Sequence, residues 1–165
     1  MRPQTSPGFR AADALVATAP LAMRWIQRVL QGHDPPLSVG QLLGLRAIAA
    51  GPLAGSELAR RAGVSGAAVS QLVGELERAG YVRRQAALDD RRRYELALSP
   101  RGERVLTSAA ALLRRSIGEL LAGVPAREAD ALARGLSAAE SVLAGTPPPR
   151  RPPPPGPKHR RPPPR

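Results

Sequence analysis

The sequence predicts a mainly α-helical protein with one small β-hairpin, and three observations lead there. Between Gly55 and Gly80, two short apolar stripes of helical spacing flank a tight turn. Just past Gly80 the apolar period changes from helical to two. Longer helical stripes stand before and after this region.

Composition bounds what such a chain can do. Its 165 residues suffice for one domain with a buried core plus appendages. Against 13 acidic residues stand 25 basic ones, all but one of them arginine, for a net charge of +12. Arginine suits phosphate contact and groove insertion, so a nucleic-acid partner is expected. Residues 146–165 carry six of the basic groups and no acidic one, which leaves +6 for the rest. The absence of cysteine excludes disulfides, zinc-thiolate sites and thiol redox sensing. The apolar run from Ala14 to Met23 is interrupted by Pro20 and preceded by Asp13 rather than a basic block, which argues against a signal peptide or membrane span. A cytoplasmic protein is expected.

Residues 1–10, with Pro3, Pro7 and Gly8, read as an irregular arm. From Ala11 to Gln31, Leu15, Ala19, Ile26 and Val29 keep helical spacing. Pro20 either kinks this helix or marks where its firm part begins. Gly32 to Pro36 forms a turn, after which Ser38 and Gln41 make a capping box for a helix carrying Leu42, Leu45 and Ile48 and ending at Gly51. Pro52-Leu53-Ala54 reads as a very short strand.

The segment Gly55–Gly80 then has the pattern of a helix-turn-helix. Ala59 supplies a small residue for close packing, Gly63 the turn and Val69 a core position. In the second helix Val69, Leu72, Val73 and Leu76 make a buried stripe, and Ser65 is its N-cap. The free face begins with Ser65, Gly66, Ala67 and Ala68 and continues with Ser70 and Gln71, small or polar residues that suit a helix lying in a groove.

Two strands follow, Tyr81–Gln85 and Arg93–Leu98, the second with Tyr94, Leu96 and Leu98 on one face. The loop between them ends in Asp89-Asp90-Arg91-Arg92, a basic-tipped wing whose arginines could enter a minor groove. Ser99 and Pro100 start a long helix with Val105, Leu106, Ala109, Leu112 and Leu113 on its stripe, broken at Gly123-Val124-Pro125. A last helix ends at Gly145. The two final helices and the first have too little partner surface in one chain, so packing against a second copy is expected. From residue 146 the chain is almost wholly proline and arginine, and a solvated, disordered tail is expected.

The stretches ELARRAGVSGAAVSQLVGELERAGYVRR and DDRRRYELALSPRG together resemble the MarR family of winged helix-turn-helix regulators. Asp90, Arg92, Leu98, Ser99 and Gly102 match the family's wing pattern, with serine for threonine at position 99. The resemblance covers roughly residues 12–144, with the reader at about 37–102 and dimerisation helices at about 11–31 and 100–144. It implies a homodimeric transcription regulator, usually a repressor, that binds pseudo-palindromic double-stranded operators and is often released from them by a small-molecule effector. It carries major-groove contacts to Ser65, Gly66, Ala67, Ser70 and Gln71, wing contacts to Asp90, Arg91 and Arg92, and a ligand pocket to the surroundings of Trp25, Leu42, Leu45 and Leu112. Many members have arginine where Gln71 stands, so adenine rather than guanine is the expected base.

Plainer readings stand beside these. Ser70 and Gln71 could simply solvate a helix, and Arg83 and Arg84 divide between phosphate contact and a solvated strand edge. Trp25 lines a pocket or packs in the core or dimer interface. His33 and His159 read as surface residues, too few and too isolated for a metal site. No histidine base accompanies Ser65, Ser70 or Ser99, so neither enzyme activity nor a cofactor is expected. The alternative function is architectural binding of nucleic acid without sequence choice, aided by the basic tail.

Overall fold

The computed structural model describes residues 6–62, 65–86 and 94–146, with the side chains of 61 and 62 excepted. Gly63, the wing residues Asp90, Arg91 and Arg92, His159 and the tail from 147 lie outside the described residues. The described elements run α1 (Pro7–Gln31), α2 (Val39–Ala49), α3 (Gly55–Ala62), α4 (Gly66–Arg78), β1 (Val82–Ala86), β2 (Tyr94–Leu98), α5 (Pro100–Leu121) and α6 (Ala126–Gly145). The chain divides into two compact units, residues 1–123 and 124–165.

Helix α1 begins at Pro7, inside the segment expected to be irregular. Ser6 caps it by accepting from the Phe9 N–H at 3.5 Å, and Pro7 fills the first helical position, where a missing N–H costs nothing. The helix continues through Pro20, so its firm part does not begin there. The Ser38–Gln41 capping box forms as its pattern requires: Gln41 N donates to Ser38 Oγ at 3.0 Å and Ser38 N to Gln41 Oε1 at 2.9 Å. Beyond α2, Gly51 takes φ 144°, a backbone conformation open chiefly to glycine.

The core of the first unit gathers Leu30 and Leu37, then Leu42, Leu45 and Ile48 of α2, Leu58 of α3, Val69, Val73 and Leu76 of α4, Leu96 of β2, and Val105 and Ala109 of α5. Gly44 lets α2 approach α4, where a Cβ would meet Leu72 Cδ2 at 3.0 Å. Strands β1 and β2 pair antiparallel with Val82 opposite Leu98 and Arg84 opposite Leu96. Leu53 adds a single bridge to Leu96, which is all that the expected short strand amounts to.

Two side chains depart from expectation. Tyr94 shares a face with Leu96 but is 64% exposed, because it lies at the end of the paired segment while the core lies under Leu96. His33, expected on the surface, is buried between the α1–α2 turn and α5. Its Nδ1 lies 2.7 Å from the Pro35 carbonyl oxygen and its Nε2 2.8 Å from Ser108 Oγ, so hydrogen bonding at both ring nitrogens offsets the desolvation. A partner 75 residues away cannot be read from local pattern.

In the second unit, α6 starts at Ala126, after Pro125 at the N-cap with no side-chain bond, and leaves Leu132, Leu136, Val142 and Leu143 exposed.

Candidate nucleic-acid interface

Helix α4 is held by one face and free on the other. Val69, Val73 and Leu76 are buried and Leu72 packs against the core. Ser65, Gly66, Ala67, Ala68, Ser70 and Gln71 are exposed. Ser65 accepts from the Ala68 N–H at 3.2 Å and holds the first turn in shape. No Cβ rises from Gly66 and only methyl groups from Ala67 and Ala68, so another backbone could approach closely here. Ser70 turns its hydroxyl back to the Gly66 carbonyl at 2.9 Å, whereas Gln71 donates from Nε2 to Glu75 Oε1 at 3.2 Å.

Strand alternation separates the two arginines of β1. Arg84 shares a cleft with Gly66, Ser70 and Tyr94, on the side where α4 lies, and pairs with Glu77 through Nε–Oε1 at 2.8 Å and Nη2–Oε2 at 3.3 Å. Arg83 points to the opposite side and lines a cleft with Gly51, Glu103 and Thr107. Only one of the pair therefore stands beside the exposed face of α4. Tyr94 and Ser56 join that cleft although sequence reasoning did not select them; the exposure of Tyr94 depends on where the core ends, which its apolar alternation does not report.

The base of the hairpin is locked to α5. Ser99 donates its hydroxyl to the Gly80 carbonyl at 2.6 Å and accepts from the Gly102 N–H at 3.0 Å, while its own N–H donates to the Tyr81 carbonyl at 2.9 Å. Arg101 lies over the Tyr81 ring, 5.5 Å from its centroid. On α3, Arg60 makes a two-pronged pair with Glu57 at 2.6 and 2.7 Å, and that hydrogen bond and charge raise its pKa further.

The four residues expected around a ligand pocket are dispersed. Leu42 and Leu45 are buried core, and Trp25 is half-buried on α1. Leu112 lines a cleft with Gly32, His33, Ser108 and Arg115. Among the described residues no three histidine or acidic side chains gather to hold a metal. No described helix is long and apolar enough to cross a membrane.

Comparison with known proteins places this arrangement. The model of the MarR family matches residues 33–93. A search of curated protein sequences gives no match. Among solved structures, the chain is similar to the transcriptional regulator BldR from Sulfolobus solfataricus, at 27% identity and a TM-score of 0.65 over 82% of this chain and 95% of that one. It is similar in fold to a MarR-family transcriptional regulator from Rhodococcus sp. RHA1, at 19% identity and TM-score 0.68 over 86% and 99%. The same holds for Streptococcus pneumoniae FabT, solved in complex with DNA, at 20% identity and TM-score 0.65 over 82% and 96%. Residues 33–93 thus match the MarR family, and the fold that carries them is similar to that of solved MarR-family transcriptional regulators.

Proposed function

We propose that the chain works as a homodimeric, sequence-specific DNA-binding repressor of a nearby promoter, with α4 in the major groove. The observation that carries this reading is the exposed face of α4, small at its start and polar at Ser70 and Gln71, on a helix whose other face is locked into the core. Arg84 would add a phosphate contact beside it, and Asp90, Arg91 and Arg92 a minor-groove contact from the wing. Dimerisation is favoured by apolar side chains left exposed on α1, such as Leu15, Val16 and Leu21, and by those on α6. Release by a small-molecule effector belongs to the same reading, with the cleft at Leu112 as the place to look.

The test is binding of the purified full chain to DNA from upstream of its own gene and to a scrambled fragment, across a salt series. Much tighter binding to the native fragment, one dimer per inverted repeat, supports the regulator. Equal affinities that collapse together as salt rises, with no preferred site found genome-wide, would replace it with architectural backbone binding. Removing residues 146–165 should flatten the salt dependence and leave the preference intact.

A further inference from the structure

Gln71 is not left to sample its rotamers, and the groups that hold it reach back to the start of α2. Glu75 accepts from Gln71 Nε2 on one carboxylate oxygen at 3.2 Å and from Gln41 Nε2 on the other at 3.3 Å. Gln41 is itself fixed, because its Oε1 accepts from the Ser38 N–H at 2.9 Å in the α2 capping box. The next residue, Val39, donates its N–H to Gln27 Oε1 of α1 at 3.0 Å. A polar chain thus runs from α1 through the α2 cap to the exposed face of α4.

We infer that Glu75 is a positioning residue that sets the base preference of Gln71, and that Gln41 sets Glu75. The inference rests on the DNA-binding reading above. A carboxylate only accepts hydrogen bonds, so both glutamines must turn their nitrogens toward it. For Gln71 this leaves Oε1 and the second N–H facing away from Glu75. One acceptor beside one donor matches the N6 and N7 edge of adenine. Without Glu75 the amide could rotate and present its groups in either order, and the contact would have to order it on binding.

The test is selection of binding sites from randomised duplex DNA by the full-length protein and three sets of variants, with thermal melting as the check on folding. The wild type should enrich a palindrome with an adenine in each half-site, and Gln71→Ala should lower discrimination at that base alone, by about tenfold. Gln41→Glu keeps the α2 cap, since glutamate also serves in a capping box, but sets a second carboxylate against Glu75. It should weaken discrimination at the same base and no other. Adding Glu75→Gln to Gln41→Glu reverses the polarity of one link: the new amide donates to the new carboxylate and still accepts from Gln71. Discrimination should return.

A Gln41→Glu profile identical to the wild type, a double variant that stays defective, or a Gln71→Ala profile unchanged at every base would each overturn the inference while leaving the regulator standing. A wild type that enriches no sequence would overturn the DNA-reading function itself.

Discussion

Gly102 packs its Cα against the Tyr81 carbonyl so closely that a Cβ there would lie inside that oxygen. The contact follows from the Ser99 N–H bonding the same carbonyl at 2.9 Å, which draws the first turn of α5 onto the strand entry. The orientation of the hairpin relative to α5 depends on this junction.

Gly102→Ala should therefore destabilise the protein by about 1–3 kcal/mol, since backbone would have to move to admit one methyl group. Gly74→Ala is the control: it also sits inside a helix, but nothing lies within 4 Å of its Cβ position. That change should stabilise by about 0.5–1 kcal/mol. Urea unfolding of the pair separates crowding from helix propensity.

Ser99→Ala removes both the α5 cap and the hydroxyl bond to Gly80. A loss of about 1–2 kcal/mol is expected, with Ser99→Thr close to wild type because its hydroxyl can make both bonds. Chemical denaturation midpoints would decide this, and equal midpoints for all three proteins would refute it.

His33→Leu keeps bulk but leaves the Pro35 carbonyl without its ring partner, while Ser108 keeps only its bond to the Val105 carbonyl at 3.1 Å. We expect a cost of about 1–3 kcal/mol, and less than the sum of the two single costs when Ser108→Ala is added, because the two residues share one hydrogen bond. A double-mutant cycle by thermal unfolding measures the coupling; zero coupling would mean the ring packs without needing its bonds.

Leu45→Ala should cost about 2–5 kcal/mol, as expected of a fully buried leucine. If Leu45 served a ligand rather than the core, the change would alter effector response with little loss of stability. Differential scanning calorimetry without added ligand distinguishes the two.

Arg84→Ala should weaken DNA binding and lower the slope of log affinity against log salt by about 1, whereas Arg83→Ala should leave both nearly unchanged. The contrast follows from strand alternation, with Arg84 beside Ser70 and Arg83 on the far side. Equal slopes for the two variants would show that the side of the strand is irrelevant.

Local chemistry made much of this protein legible in its sequence. Ser38, Ser65 and Ser99 begin helices because a hydroxyl at an N-cap satisfies an N–H that the helix itself cannot, and that need acts within three residues. The stripe of Val69, Val73 and Leu76 named the buried face of α4, and with it the free one, since helical period alone divides the two. Local signals also exist for the start of α1 at Ser6 and Pro7, though they are easily mistaken for an irregular arm.

Tertiary structure alone decided the rest. His33 is interior because Ser108 arrives from a distant helix, and Tyr94 is exposed because the core ends at Leu96, two pairs short of it. Leu42 and Leu45 are buried in the core because α4 and α5 pack against α2. The link from Gln41 to Glu75 spans 34 residues and depends on the distance between two helices, a quantity set by packing at Gly44 and Leu72 and by no periodicity in the chain.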